Sequence, residues 1–259
     1  MLRNATVLPF IRIGPLTLPT YGLLVATGLL CAFFVLRADL RRRQLGADPN
    51  TIIGLAGLAG LLGAKHYHLL ETPREFFAQP SLLFSQTGFA WFGGLLGGFV
   101  TLVLLARHYR IPVLEMLDAA SPAAALGYGI GRIGCLISGD GDYGIPSSLP
   151  WAMSFPNGIV PTTERVHPTP IYELLNAVFV FYFLWRLGAK AARGSRPAGK
   201  VFAGFLVLTG VARFLVEFIR LNPRSVFGLT NAQAMSLVSI LAGSALLLRV
   251  RRRFPSGRE

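Results

Sequence analysis

The feature that most constrains this chain is the arrangement of its apolar residues in long runs that contain few charges. Of the 259 residues, 53% are hydrophobic and 14% are charged, whereas soluble domains carry about 25% charged residues. An apolar run of about 20 residues is the length that crosses a hydrocarbon layer of about 30 Å as a helix. The sequence therefore predicts an all-α integral membrane protein rather than a soluble globular domain.

Seven such runs are present, and we expect each of them to be a transmembrane helix. They cover residues 16–36, 52–70, 91–105, 117–137, 170–187, 201–219 and 232–248. Residues 1–259 are expected to form a single transmembrane domain. Its longest irregular segment, at about 138–168, is rich in Gly, Pro and Asp and is predicted to be an extracytoplasmic loop.

The basic residues predict the orientation of these helices. The formal net charge is +13, and 16 of the 25 Lys and Arg residues follow runs 1, 3, 5 and 7. Because basic residues accumulate on the cytoplasmic side, the N-terminus is predicted to lie outside and the C-terminus inside the cell. The charge is thus interpreted as a topological signal in a multi-pass protein of the cell inner membrane, with membrane lipid rather than nucleic acid as its partner.

Two arginines, Arg132 and Arg213, lie inside the apolar runs. An arginine at the bilayer centre costs about 2.5 kcal/mol or more and commonly faces a polar cavity, an anionic partner or a ligand. Glu217 lies four residues after Arg213, so these two side chains can neutralise each other on one helical face. No acidic residue stands at a similar spacing from Arg132, which favours a ligand or an interhelical contact for this residue.

The predicted topology brings further polar and aromatic side chains to the outer half of the membrane. They are Tyr21, Lys65, His66, His68, Trp91, Phe92, His167, Tyr172 and Glu173. Taken singly, Lys65 and the histidines could reach the interface by snorkelling, and Tyr21 and Trp91 could be interfacial aromatics. Their convergence with the two arginines predicts a functional site that faces outward.

Glycines are clustered in the third run, where Gly93, Gly94 and Gly97 belong to overlapping GxxxG spacings. Small residues let two helices approach closely, so helix packing is the first interpretation. The alternative is that a surface of glycines leaves space for a lipid headgroup.

Several segments resemble the motifs of the prolipoprotein diacylglyceryl transferase family. Residues 131–140 read GRIGCLISGD and are similar to the family signature GRIGNFINGE, and Tyr143-Gly144 follows. Residues 92–97 (FGGLLG), 167–173 (HPTPIYE) and 213–220 (RFLVEFIR) resemble the family's HGGLIG, HPxQLYE and RxxxEFxR. Tyr21-Gly22 matches a Tyr-Gly pair at the start of the first span. The matches occur in the family's order along nearly the whole chain.

The resemblance implies transfer of a diacylglyceryl group from phosphatidylglycerol to the lipobox cysteine of a prolipoprotein signal peptide, with release of glycerol phosphate. It implies that Arg132 and Arg213 hold the lipid phosphate, that Glu217 orients Arg213, and that Tyr21 donates to a headgroup or glycerol oxygen. The matched positions further imply substrate-binding roles for Gly93, Gly94, Gly97, Tyr172, Glu173 and Arg220. No cofactor and no metal site is predicted.

The chain departs from the family pattern at three positions. Phe92 stands where the family has a histidine that is often proposed as the base, and Cys135 replaces an asparagine. Asp140 stands near the usual glutamate, followed by Gly141-Asp142. Asp140 and His167 are therefore predicted as replacement catalytic residues, with Asp142 behind them, unless the phosphate or a water takes the thiol proton.

Two other functions remain open at this point. A paralogue with the same fold could use another phospholipid or acceptor, an alternative prompted by Phe92 and by the Gly-Asp-Gly-Asp insertion at residues 139–142. A small transporter or lipid-binding protein could also place arginines along a substrate path.

Overall fold

The computed structural model of the protein describes residues 7–71, 73–84, 90–190 and 197–253. Helices make up most of this part of the chain. They are α1 (Thr20–Arg42), α2 (Pro49–Glu71), α3 (Pro73–Ala78), α4 (Trp91–His108), α5 (Val113–Ser138), α6 (Thr169–Lys190), α7 (Lys200–Val216) and α8 (Asn231–Arg253). Short 3₁₀ helices cover Pro80–Phe84 and Glu217–Ile219.

In the described part of the chain, three small antiparallel hairpins lie outside the helices, which corrects the expectation of a purely helical chain. They pair β1 (Phe10–Ile13) with β2 (Leu16–Pro19), β3 (Met153–Phe155) with β4 (Thr162–Val166), and β5 (Arg224–Val226) with β6 (Leu229–Thr230). Each hairpin connects or precedes helices, so the strands belong to the ends of the helical bundle.

Four helices in the described part of the chain are long and apolar enough to cross a membrane. They are Thr20–Arg42, Thr169–Ala189, Lys200–Ile219 and Asn231–Arg252. A shorter apolar helix, Phe92–His108, accompanies them. A mostly helical membrane protein is thus confirmed. Seven crossings and an external N-terminus remain predictions.

The first predicted span begins too early, and the local sequence explains why. Leu16 and Leu18 are apolar but belong to β2, which pairs with β1 across a turn at Gly14, where φ is +59°. Helix α1 begins only after Pro19. Proline restricts the preceding residue to extended conformations and fits the edge of a helix, so the run of leucines before Pro19 forms a strand.

Helix α5 is the centre of the bundle and packs against α1, α6 and α7. Gly28 of α1 and Gly127 of α5 allow the two backbones to approach, since a Cβ added to Gly28 would lie 3.0 Å from the Gly127 carbonyl oxygen. At the start of α5, the fully buried Asp118 accepts hydrogen bonds from the backbone N–H groups of Gly199 (2.8 Å) and Phe202 (2.7 Å). A side chain of α5 thereby caps the N-terminus of α7.

Helices α2 and α4 form a closely packed pair. A Cβ on Gly93 would collide with the Gly63 carbonyl group and the Tyr67 side chain, and a Cβ on Gly97 would collide with the Ala59 carbonyl. A Cβ added to Gly94 would lie 3.3 Å from the Gly60 carbonyl oxygen, which is a tight contact. The glycines of α4 thus serve the close approach of two helices.

The segment between α5 and α6 folds over the end of the bundle. Gly139 ends α5 in the left-handed conformation at φ +59°, and Tyr143 stacks on the buried Phe155 with ring centroids 4.6 Å apart. Two backbone contacts join this loop to the segment after α7. Gly144 pairs with Arg220, and the N–H of Ile145 donates to the Ile219 carbonyl at 2.8 Å. The loop residues are thereby held beside the ends of α5, α6 and α7.

Candidate functional site

Three arginines and three carboxylates meet where α5, α6 and α7 end beneath the loop. We call them the arginine–carboxylate cluster: Arg132, Asp142, Glu173, Arg213, Glu217 and Arg220. Five of the six, all except Asp142, were predicted as site residues from the sequence. Asp142 was considered only as a third candidate base, so its place between two arginines is what the structure adds.

Glu173 is the centre of the cluster because all three arginines lie within ion-pair distance of its carboxylate. Arg213 donates to it at 2.7 Å and Arg220 at 3.1 Å, and Arg132 lies 3.5 Å away. The Tyr128 hydroxyl donates to the same carboxylate at 2.5 Å. With a side chain that is 5% exposed, Glu173 is a buried anion whose charge is fully paired.

Asp142 bridges two of the arginines from the loop side. One carboxylate oxygen accepts a hydrogen bond from Arg132, and the other accepts one from Arg220. Burial alone would raise the pKa of Asp142, but the guanidinium groups of Arg220 and Arg132 outweigh it, and the net shift is downward. Asp142 is therefore ionised at neutral pH and acts as an anion held between two cations.

Glu217 completes the cluster below Arg213. Its carboxylate lies 3.1 Å from Arg213 and accepts a hydrogen bond from the Asn222 amide at 2.5 Å. The Arg213–Glu217 pair expected from the spacing of four residues is thus present. The side chains of Glu217 and Arg220 are almost fully buried, while Arg213 is 28% exposed and Asp142 is 32% exposed. Arg213 and Asp142 are accordingly the members that a ligand can reach first.

The cluster is electrically neutral. Arg132 pairs with Asp142, which corrects the expectation that Arg132 has no acidic neighbour. Three guanidinium groups face three carboxylates. The sequence could not reveal the partner of Arg132, because Asp142 follows it by ten residues and lies beyond the end of α5. In addition, the Arg132 guanidinium lies over the ring of Tyr128, 4.8 Å from its centroid.

Asp140 lies just beyond the end of α5, with a carboxylate oxygen within 4.8 Å of the Cys135 sulfur. The N–H of Asp142 donates to the same carboxylate at 3.1 Å. Burial raises the pKa of Asp140 above its ordinary value, and the negative charge of Asp142 raises it further. A carboxylate with a raised pKa is better suited to accept a proton than an ordinary aspartate.

One group of possible metal ligands occurs among the residues that the structure describes. One ligand atom from each of Cys135, Asp140 and Asp142 lies within 4.8 Å of the others. Both oxygens of Asp142, however, are engaged by Arg132 and Arg220. The positive charge of these arginines disfavours a cation at this position.

His167 belongs to a second polar chain, beside the cluster. Its Nδ1 lies 3.1 Å from the Tyr172 hydroxyl, and the Trp151 indole N–H donates to the same hydroxyl at 2.7 Å. The backbone carbonyl of His167 accepts from the N–H of Gly144, which pairs with Arg220. The two predicted replacement bases, Asp140 and His167, therefore lie in the same loop region but contact different partners.

The remaining predicted residues lie around the bundle. Tyr21 is 45% exposed at the start of α1, and its ring is close to Gly134, two residues after Arg132. Phe92 is half-buried in the first turn of α4 and carries no group that could accept a proton. Lys65 is buried, at 5% exposure, so snorkelling to the interface does not describe it.

Comparison with known proteins yields one consistent family. Residues 9–249 match the family described as prolipoprotein diacylglyceryl transferase. Two relatives named phosphatidylglycerol–prolipoprotein diacylglyceryl transferase cover most of the chain. The protein of Geobacter sulfurreducens is 34% identical over 94% of this chain and 95% of its own length, and that of Clostridium tetani is 33% identical over 86% and 89%.

Proposed function

This chain belongs to the prolipoprotein diacylglyceryl transferase family, and on that premise we propose that its arginine–carboxylate cluster binds the phosphate of phosphatidylglycerol. The enzyme transfers the diacylglyceryl group of that lipid to the cysteine thiol in a prolipoprotein signal peptide. The observation that supports this assignment most strongly is the convergence of Arg132, Arg213 and Arg220 at one end of the bundle.

The reaction replaces a carbon–oxygen bond by a carbon–sulfur bond. The sulfur attacks the carbon of the diacylglycerol unit that is bonded to the phosphate oxygen, the thioether forms, and the electron pair of the broken carbon–oxygen bond leaves on glycerol phosphate. Negative charge therefore grows on a phosphate oxygen in the transition state. Arginines fixed by buried carboxylates can stabilise this charge without moving, which is the usual source of large electrostatic rate effects.

Charge balance decides how the phosphate enters. Adding a phosphodiester to a cluster of three cations and three anions leaves one buried negative charge in excess, which is costly. Asp142 is the member that can leave, because its side chain is the most exposed of the three carboxylates and it belongs to a loop rather than a helix. Gly139 and Gly141, at φ +59° and +95°, lie on its N-terminal side. The lipid phosphate thus takes the place of Asp142 between Arg132 and Arg220.

The thiol proton requires an acceptor, since Phe92 offers none. Asp140 is our first assignment because burial raises its pKa and its carboxylate already lies within 4.8 Å of a thiol, that of Cys135. His167 is the alternative, with its ring hydrogen-bonded to Tyr172. Glu173 and Glu217 position the arginines and take no part in proton transfer, since both are engaged in ion pairs.

We also propose that the chain forms a single multi-pass domain of the inner membrane, with the cluster toward the outer face. That side is where phosphatidylglycerol of the outer leaflet meets an exported signal peptide. The distribution of basic residues supports this orientation.

Complementation tests the function in the cell. We expect this chain to sustain growth of a strain depleted of its own diacylglyceryl transferase, and Arg213→Ala to abolish the rescue. Arg74→Ala, a change at an exposed arginine of α3, is the matched control and should rescue as the wild type does. Rescue by Arg213→Ala, or none by a wild-type chain that is present in the membrane, would overturn the assignment.

A paralogue with another lipid substrate is the second candidate, and it is favoured by Phe92, which stands in place of the family's histidine, and by the inserted Gly141-Asp142. It predicts that vesicles containing a different phospholipid yield product while phosphatidylglycerol does not. Lipid analysis by mass spectrometry after incubation with a lipobox peptide separates the two candidates.

A further inference from the structure

The C-terminal end of α1 carries a second group of arginines. From the sequence alone, all of them were interpreted as topological charges. The structure divides them into two kinds. Arg42 and Arg43 both donate to the fully buried carboxylate of Asp39, at 2.5 and 2.8 Å. Arg42 also lies over the Trp185 ring, 3.9 Å from its centroid. These two arginines are therefore parts of the bundle.

Arg37 and Arg41 differ, because no carboxylate partner is found for either of them among residues 7–71, 73–84, 90–190 and 197–253. Both are exposed, and they stand four residues apart on one face of α1. Like charges at this spacing repel each other and destabilise a helix slightly. An anion bound between them would remove that repulsion.

A cavity of about 400 Å³ lies beside this pair. Its walls include Phe33, Arg37, Leu40, Arg41 and Leu45, together with the turn that leads into α2. A shallower and more open groove on the other flank is lined by Phe34, Arg37 and Arg41 among others. Both arginines thus border the cavity and the groove.

The lining changes along α1 from aromatic to positively charged, which matches a phospholipid's change from apolar acyl chains to an anionic headgroup. Phe33 lies one turn before Arg37, and Arg41 lies one turn after it. From the middle of the helix toward its end, the face therefore presents an aromatic ring and then two guanidinium groups. Acyl chains suit the first, and a phosphate suits the second.

Among the described residues that line the cavity, Asp48 is the acidic one. Its carboxylate accepts hydrogen bonds from the side chain and N–H of Thr51 and from Asn50, at 2.6 to 3.1 Å. Those bonds hold the pKa of Asp48 at about 2. Its charge is directed into the first turn of α2, where it caps the helix, rather than toward the arginine pair.

We propose that Arg37 and Arg41 form a second anion site, distinct from the arginine–carboxylate cluster, that binds the phosphodiester headgroup of an anionic phospholipid. The site lies at the Asp118 end of α5, since Arg43 is 4.0 Å from Asp118. Arg132 is fourteen residues further along α5, which corresponds to roughly 20 Å. In the predicted topology the second site faces the cytoplasmic leaflet, so its lipid is bound as a structural partner and not as substrate.

Lipid retention measures this site directly. The full chain is purified from vesicles of phosphatidylcholine and phosphatidylglycerol, and native mass spectrometry counts the phosphatidylglycerol that stays bound. We expect Arg37→Gln/Arg41→Gln to retain one lipid fewer than the wild type, with an apparent affinity at this site lower by about thirtyfold for two lost charges. Arg249→Gln/Arg252→Gln removes two exposed arginines of α8 and should retain as much lipid as the wild type.

Two further arms identify the ligand and the role. In the first arm, inorganic phosphate is added to protein in vesicles of phosphatidylcholine alone, and the temperature of unfolding is measured. If phosphate raises this temperature in the wild type but not in Arg37→Gln/Arg41→Gln, the site recognises the free anion as well as the lipid. Transferase activity is expected to be unchanged in both double variants, because neither touches the cluster. Equal lipid retention by the wild type and both double variants, or an equal loss in the two variants, would overturn the proposal.

Discussion

Asp142 accepts a hydrogen bond from Arg220, a residue 78 positions further along the chain. This contact closes the arginine–carboxylate cluster on the loop side and makes it electrically neutral. It also places a carboxylate where the proposed reaction requires a phosphate. The competition between these two anions is the basis of the first prediction.

Asp142→Asn should strengthen lipid binding. The change removes one negative charge from the cluster and leaves Arg132 and Arg220 with unmatched positive charge. We expect the KM for phosphatidylglycerol to fall about tenfold, which corresponds to about 1.4 kcal/mol. Initial rates at varied phosphatidylglycerol measure it, and Asp142→Glu, which keeps the charge, serves as the control. A KM that rises in Asp142→Asn would show that Asp142 assists binding instead of competing with it.

Arg213→Lys should impair catalysis although it conserves the charge. Arg213 reaches Glu173 with one terminal nitrogen and Glu217 with the other, and a lysine has a single nitrogen that cannot reproduce this geometry. We expect kcat/KM to fall about 100-fold, the usual effect of removing one fixed donor from a transition-state site. Arg74→Lys is the comparison at an exposed position. Wild-type kinetics in Arg213→Lys would remove Arg213 from the phosphate site.

Asp140 should determine how the rate depends on pH. As a proton acceptor it must be ionised, so kcat/KM should increase as pH rises through its pKa. Burial and the charge of Asp142 raise that pKa, so this increase should occur above the ordinary aspartate value of about 3.9. In Asp140→Asn the increase should disappear and the rate should be low at every pH. If the increase persists in Asp140→Asn and is lost in His167→Gln, the base is His167.

Gly93→Ala should destabilise the α2–α4 pair. The added methyl group would collide with the Gly63 carbonyl and with Tyr67, and overpacking of this kind costs about 1–3 kcal/mol. The temperature of unfolding in detergent should fall accordingly. Gly54→Ala is the matched control, since nothing lies within 4 Å of a Cβ at that position of α2. Equal stability of both variants would show that the pair can separate without cost.

The sequence predicted much of the helical framework because length and apolarity depend on local residues. The long apolar runs coincide with long helices, with limits that differ by a few residues. The hairpin before α1 was not predicted, since Leu16 and Leu18 continue the apolar run and only the prolines and Gly14 distinguish a strand from a helix there.

The contacts of the site that could be predicted from the sequence are those between residues close together in the chain. The Arg213–Glu217 pair follows from helical spacing, and the structure contains it. Other contacts of the cluster depend on how three helix ends and a loop meet. They include the contact of Glu173 with Arg220, 47 positions away, and that of Arg132 with the loop residue Asp142. No periodicity encodes that meeting, so the neutrality of the cluster could only be seen in three dimensions.

The most direct measurement of the central claim is the product itself. The purified protein is incubated in vesicles with phosphatidylglycerol and a lipobox peptide, and the peptide is then analysed by mass spectrometry. We predict a peptide whose mass increases by one diacylglyceryl group attached to the cysteine sulfur, together with an equal amount of glycerol phosphate. An unmodified peptide, under conditions in which the Geobacter sulfurreducens relative modifies it, would contradict the account.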